Sequence, residues 1–272
     1  MARVRYTFFT MDPLVLSALW VWLFVTVVFV IAVLRKDNSV MDIFYGLVFV
    51  DVALTSFLFL SERGVVAALV TVLVVVWGIR LSGRIFLKNK GKGEDRRYAT
   101  WREEWMRRGR VYFFVRSYLQ VFLLQGLVIW VVSLPIVLVN TASAVPLNGF
   151  VWAGLTLWGI GFLFESITDF QLDQFLRNPV NRGRIMTEGL FAFSRRPNYF
   201  GESLMWWGIA TIAFALPEHW IAYASPALIT YIVVAVTGPI TEKLWEGNAE
   251  YAAYKKRTSY FIPWFPKKQQ LP

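Results

Sequence analysis

The chain carries Ser-Arg-Arg-Pro-Asn-Tyr-Phe-Gly-Glu at positions 194–202 and continues into the apolar Leu-Met-Trp-Trp-Gly-Ile at 204–209. This stretch predicts the start of a helix, with Asn198 as its N-cap and Pro197 at its entrance. Glu202 falls in the first turn, where a carboxylate complements the positive end of the helix dipole. The helix that follows is apolar enough to enter a bilayer.

Two adjacent arginines precede this predicted helix. Arg195 and Arg196 lie beside backbone N–H groups that lack intrahelical acceptors, a combination that favours binding of phosphate or another anion. The same pair also suits cytoplasmic anchors of a membrane helix. Spacing alone leaves both interpretations open.

The composition indicates a membrane protein. Hydrophobic residues make up 57% of the 272 residues, more than in an ordinary soluble domain. Runs of about 20 apolar residues are long enough to cross a hydrocarbon core of about 30 Å. We therefore expect an all-α polytopic membrane protein. The chain should form one integral membrane domain over 1–272, and its C-terminal helix near 241–256 should lie in the cytoplasm. About seven spans are predicted: 15–34, 43–60, 65–79, 112–139, 150–170, the opening motif to 216, and 223–237.

Missing residue types exclude several chemistries. The chain has no cysteine, which excludes disulfides, thiolate metal sites and a cysteine nucleophile. With His219 as the single histidine, zinc motifs that need two histidines are excluded as well. No metal site is predicted.

The net charge of +10 comes from basic residues that gather between the spans. No domain is left over to bind nucleic acid, and the positive-inside rule instead predicts an outer N-terminus and a cytoplasmic C-terminus. The predicted outer segments carry only Arg3, Arg5 and Arg63, whereas the inner ones carry Arg35, Lys36, ten basic residues in 84–110, five in 177–196 and six from 243 onward.

An acidic column is predicted at the end of the fifth span. Glu165, Asp169 and Asp173 are four residues apart and share one helical face, so cationic groups must lie opposite them. The next loop supplies arginines, which indicates a polar site at the membrane surface. These arginines are Arg177, Arg182, Arg184, Arg195 and Arg196.

The polar motifs together resemble the DUF1295 membrane family, a branch of the steroid 5-alpha-reductase-like superfamily. The resemblance covers nearly the whole chain from about residue 35. It implies a multi-span fold, and relatives in the superfamily reduce the double bond of an enone with NADPH. The motifs lie at 90–98, 181–183, 194–202 and 257–266.

The resemblance also implies a set of cofactor-binding residues. Asn198 and Glu202 match the pair that touches the nicotinamide end of NADPH, within a pattern that also includes Tyr199. Guanidinium groups of the arginine loop suit the phosphates. The remaining residues implied for NADPH are Asp169, Arg177, Asn181, Arg182, Arg195, Arg196 and Tyr254.

The substrate side is predicted in the N-terminal helices, 15–86, and the cofactor side in 112–272. A lipophilic substrate would enter from the bilayer. The Gln-Glu pair and the tyrosine with which steroid reductases grip a ketone are missing here. Tyr45 and Asp42 are the nearest substitutes for polarising a carbonyl and donating a proton, although Tyr45 also suits an interfacial belt.

Two other functions remain open. Isoprenylcysteine and phospholipid methyltransferases, which use S-adenosylmethionine, carry an Arg-x-Pro-x-Tyr-x-Gly pattern that 195–201 also fits, and Glu242, Glu250 and Tyr254 fit its second half. A non-enzymatic transporter or assembly factor would use polar residues within the spans. Asp51, Arg116 and Gln120 are such residues.

Overall fold

The protein is described by a computed structural model over residues 11–60, 64–142, 145–216 and 219–267. The chain divides into two compact units, Met1–Pro146 and Leu147–Pro272. Helices dominate both units, and no β-strand occurs in the described ranges. The expectation of an all-α membrane protein is confirmed.

The described residues of the first unit form six α-helices. Two π-helical turns interrupt the regular geometry, Ser56–Leu60 after the second helix and Tyr118–Leu123 between the fifth and sixth. The helices are α1 Pro13–Arg35, α2 Val40–Thr55, α3 Val65–Asn89, α4 Arg96–Arg107, α5 Arg110–Ser117 and α6 Leu124–Thr141.

Small residues and a buried amide hold the first unit together. A Cβ added to Gly46 on α2 would lie 2.5 Å from the carbonyl oxygen of Gly78 on α3, so the two backbones touch there. The buried Asn140 amide on α6 donates to the Ser56 hydroxyl at 2.9 Å and to the Thr71 hydroxyl at 3.1 Å. These bonds join α6 to α3 and to the end of α2.

In the second unit, the part of the chain that the structure describes forms five α-helices. A π-helical segment, Ile232–Thr237, joins two of them into one long rod. The helices are α7 Gly149–Arg177, α8 Pro197–Ala213, α9 Ala224–Tyr231, α10 Gly238–Lys243 and α11 Ala249–Arg257.

Six helices within the described ranges are long and apolar enough to cross a membrane. They cover every predicted span except α8, which has 17 residues, about 25 Å of helix. The Arg195 backbone N–H before α8 nevertheless donates to the Ser259 carbonyl, which follows the Trp220–Lys243 span, at 2.8 Å. The segments before α8 and after the Trp220–Lys243 span therefore lie on the same side of the membrane. If the Trp220–Lys243 span crosses the membrane, α8 must cross it as well.

Some sequence predictions fall on residues that are not described. Arg3, Arg5 and Arg63, which support an outer N-terminus, lie outside the described ranges, as does the 217–218 part of the predicted outer loop. The orientation of the termini stays a prediction.

Candidate cofactor site

Helix α8 begins two residues earlier than predicted. Arg196, not Asn198, occupies the N-cap position, because Pro197 takes the first helical position, where its missing N–H costs nothing. The Phe200 N–H donates to the Arg196 carbonyl at 3.0 Å, which is the first helical bond. The Asn198 side chain is therefore not used as a cap.

Gly201 of the motif is a packing residue. A Cβ at this position would lie 2.6 Å from the Glu165 backbone nitrogen and 2.6 Å from the Gly161 carbonyl oxygen, both on α7. The close approach brings the first turn of α8 against the predicted acidic column. Glu165 and Asp169 of that column are buried, with 4% and 3% of their surface exposed.

The C-terminal tail lies beside the segment that precedes α8. An isolated parallel bridge joins Ser194 to Ser259. The Ser194 hydroxyl donates to the Phe261 carbonyl at 2.7 Å, and the Trp264 N–H donates to the Phe193 carbonyl at 2.9 Å. Backbone pairing thus holds the motif at 257–266 next to the motif at 194–202, although about 60 residues separate them.

Arg195 is held by groups from this tail and from α10. Its guanidinium forms an ion pair with Glu242, whose other carboxylate oxygen lies 2.9 Å from Lys255 Nζ. The same guanidinium lies over the ring of Tyr260, 5.0 Å from the centroid. The Arg195 side chain is only 10% exposed.

Arg196 lies over the ring of Tyr199 at 5.9 Å. The Nε atoms of Arg195 and Arg196 are both buried and have no hydrogen-bond partner among the described residues. A buried donor without an acceptor carries its full desolvation penalty. Within the described ranges, each of these atoms lacks the oxygen acceptor that would satisfy it.

Tyr254 ties α11 to the same segment. Its buried hydroxyl donates to the Phe191 carbonyl at 2.6 Å, and burial raises the pKa of this phenol. The ring lies edge-on to Tyr251, 6.0 Å between centroids, and the Arg257 guanidinium lies 6.0 Å from the Tyr254 centroid. Tyr254 therefore positions the site through the backbone and remains able to accept a hydrogen bond.

Other predicted cofactor residues lie around the end of α7. Asn181 donates its amide to the Phe175 carbonyl at 3.0 Å and so closes the end of that helix. Arg177 and Arg182 are exposed, in contrast to Arg195 and Arg196. Their predicted role at the phosphates stays a prediction.

The predicted catalytic pair lies in the first unit. Asp42 accepts a hydrogen bond from the Tyr98 hydroxyl at 2.6 Å and from Arg97 at 3.1 Å. Burial is the main cause that raises the pKa of the Tyr98 phenol, and the Asp42 carboxylate adds to it. Tyr45 packs edge-on against Phe49, 5.3 Å between centroids. The partnership of Asp42 with Tyr98 and Arg97 has no signal in the sequence, because more than 50 residues separate them.

Two acidic residues in the loop before α4 form specific contacts. Glu94 accepts two hydrogen bonds from the Arg102 guanidinium, at 2.7 and 2.8 Å. It also accepts the Asn38 backbone N–H at 2.7 Å. Asp95 caps α4 by accepting the Arg97 N–H at 2.9 Å. The acidic residues of the motif at 90–98 thus fasten α4 to the turn between α1 and α2.

No solved structure matches the chain. Over 63 residues it is 30% identical to the probable O-methyltransferase ustE of Ustilaginoidea virens, a stretch that covers 23% of this chain and 22% of that protein. The chain thus matches less than a quarter of that curated relative. The family model described as a protein of unknown function, DUF1295, matches residues 28–258. Because that match covers most of the chain, this protein belongs to the DUF1295 family.

Proposed function

We propose that this protein is a membrane oxidoreductase that reduces a carbon–carbon double bond of a lipophilic enone with NADPH. The observation that supports it best is the pair of buried Nε atoms of Arg195 and Arg196, which lack partners among the described residues. A guanidinium matches the geometry of phosphate oxygens, and charge-assisted bonds of this kind are strong. The start of α8 therefore suits the pyrophosphate of a dinucleotide.

The charge of the site favours NADPH over S-adenosylmethionine. Arg195 and Lys255 both contact the Glu242 carboxylate, and Arg196 and Arg257 add two further positive charges to the same part of the unit. This positive charge around Glu242 attracts the several negative charges of NADPH phosphates.

Asn198 and Glu202 extend the site along α8. They are four residues apart, so they share one face of the first two turns, and both are half-buried. The family resemblance assigns them to the nicotinamide amide, to which an amide and a carboxylate can both hydrogen-bond. Because both lie in the first two turns of the helix that Arg196 caps, one dinucleotide would contact the arginines and this pair.

The bound cofactor would supply the hydride for the β-carbon of the enone. The chain must polarise the carbonyl oxygen and deliver a proton to the α-carbon. Asp42 accepts hydrogen bonds from Tyr98 and Arg97, an arrangement that suits an ionised carboxylate and not a proton donor. Tyr45 and Asp42 stay the predicted residues for these two roles.

A second candidate is a methyltransferase that uses S-adenosylmethionine. Two observations favour it: the partial similarity to the probable O-methyltransferase ustE, and the ion pair between Arg195 and Glu242. That ion pair joins the two halves of the methyltransferase pattern. The charge of the site and the Asn198 and Glu202 pair favour the reductase.

Ligand binding to the full-length protein in detergent separates the two candidates. A ligand that binds only the folded state at a hundred times its dissociation constant stabilises it by about 2.7 kcal/mol. We expect NADPH to raise the melting temperature, S-adenosylmethionine to leave it unchanged, and Glu202→Gln to reduce the NADPH shift. A shift with S-adenosylmethionine alone would contradict the reductase and support the methyltransferase, and no shift with either would contradict both.

A further inference from the structure

A cavity of about 490 Å³ lies between α10 and α11 in the second unit. This volume falls within the range of sites for small molecules. Its lining begins at Pro239 and ends at Lys255. None of the roles assigned to Asn198, Glu202 or Arg196 uses it.

The lining carries both signs of charge. Glu242 in the wall is already neutralised by Arg195 and Lys255. Lys243 and Glu246 also line the cavity, are exposed, and form no ion pair within the described residues. One cation and one anion are thus available to a ligand.

Two aromatic rings also line the cavity. Trp245 and Tyr251 stack with their centroids 6.1 Å apart and their planes 22° from parallel. Aromatic faces attract ammonium groups, and tryptophan most strongly. Trp and Tyr are also enriched where membrane meets water.

The cavity lies where a span ends. The Trp220–Lys243 helix supplies its first residues, and α11 lies beyond that span. Ile240 and Leu244 beside it are 57% and 77% exposed. Apolar side chains exposed at the end of a span are suited to contact with acyl chains, so the cavity suits a position at the level of lipid headgroups.

We propose that this cavity binds the headgroup of a zwitterionic phospholipid, with the phosphate at Lys243 and the ammonium at Glu246 and the Trp245 face. A ligand with only negative charge would meet Glu246 unpaired, and one with only positive charge would meet Lys243. A headgroup with one charge of each sign satisfies both. Glu242 and Lys255 of the cavity wall also belong to the proposed cofactor site, whereas Lys243, Glu246 and Trp245 have no role there.

Native mass spectrometry of the full-length protein tests this assignment. Equal amounts of phosphatidylethanolamine, phosphatidylcholine and phosphatidylglycerol are added to the protein in detergent. The protein is then released from the micelles in the mass spectrometer, and the lipids that stay bound are identified. We expect the wild type to retain one zwitterionic lipid in preference to phosphatidylglycerol. Glu246→Gln should lower that preference about tenfold, or about 1.4 kcal/mol, because the ammonium loses its carboxylate while Lys243 still binds phosphate. Lys243→Gln should weaken retention of all three lipids.

Two substitutions on α11 outside the cavity serve as matched controls. Glu250 and Lys256 are exposed and do not line it, so Glu250→Gln and Lys256→Gln should keep the wild-type pattern. Displacement of the lipid by soluble phosphoethanolamine would support recognition of the headgroup. The proposal is overturned if the wild type shows no headgroup preference, if the controls change it equally, or if S-adenosylmethionine displaces the lipid.

Discussion

Arg195 and Glu242, 47 residues apart in the chain, form an ion pair that joins the start of α8 to the end of the span that follows it. Their side chains are only 10% and 16% exposed, so water screens this pair weakly. Lys255 from α11 contacts the same carboxylate. Glu242 is therefore the point where three segments of the candidate site meet.

Glu242→Gln should destabilise the second unit. Removing one partner of a buried pair costs about 3–5 kcal/mol, and the partial exposure of this pair reduces the expected loss to about 2 kcal/mol. The loss is read as a lower melting temperature in detergent. Glu250→Gln, at an exposed position of α11, is the control, and an equal melting temperature in both variants would show that the pair contributes nothing.

The pairing of Arg195 with Glu242 could not be predicted from the sequence, although both residues belong to motifs recognised there. Periodicity and caps report neighbours along one helix, whereas this pair depends on how the tail returns to the segment before α8. Six of the spans were predicted correctly because length and apolarity are local properties. The Asn198 cap was wrong because Pro197 moves the cap to Arg196.

Gly201→Ala should be strongly destabilising. Its Cβ would lie 2.6 Å from backbone atoms of Glu165 and Gly161, which cannot move aside as a flexible side chain can. We expect α7 and α8 to separate and the melting temperature to fall. Gly159→Ala on α7, where nothing lies within 4 Å, should cause no fall. Equal stability of the two variants would argue against the close helix contact.

Tyr98→Phe should loosen α4 from α2. The substitution removes the hydroxyl that donates to Asp42 at 2.6 Å and leaves that carboxylate with one donor fewer. A loss of about 1–2 kcal/mol is expected, measured as a lower melting temperature. Tyr112→Phe, which removes a hydroxyl bonded to the exposed Arg108, should have little effect. If Tyr98→Phe is as stable as this control, the hydrogen bond to Asp42 does not contribute significantly to stability.

Single cysteines can test the predicted orientation because the chain has none of its own. Lys92→Cys and Lys256→Cys should react with a membrane-impermeant maleimide only from the cytoplasmic side. Leu147→Cys, 54% exposed between α6 and α7, should react only from outside. Labelling of positions 92 and 256 from opposite sides would contradict the seven-span arrangement.

The acidic part of the 90–98 motif shows another limit of prediction from sequence. Its glycines and lysines are typical of a solvated loop, and nothing local distinguishes it from one. Glu94 instead binds Arg102 and the Asn38 backbone, contacts that depend on α4 folding back toward the turn after α1. Only the capping role of Asp95, followed directly by helix-forming residues, has a local signal.

The most direct test of the proposed cofactor site is the dissociation constant of NADPH for Arg196→Gln, measured by quenching of tryptophan fluorescence in detergent. Arg184→Gln, which removes an exposed charge from the same loop, is the matched control. Loss of a phosphate-binding guanidinium should weaken NADPH at least about tenfold, or about 1.4 kcal/mol, while the control stays at the wild-type value. Equal dissociation constants for both variants and the wild type would contradict the proposal that the buried arginines before α8 bind the cofactor.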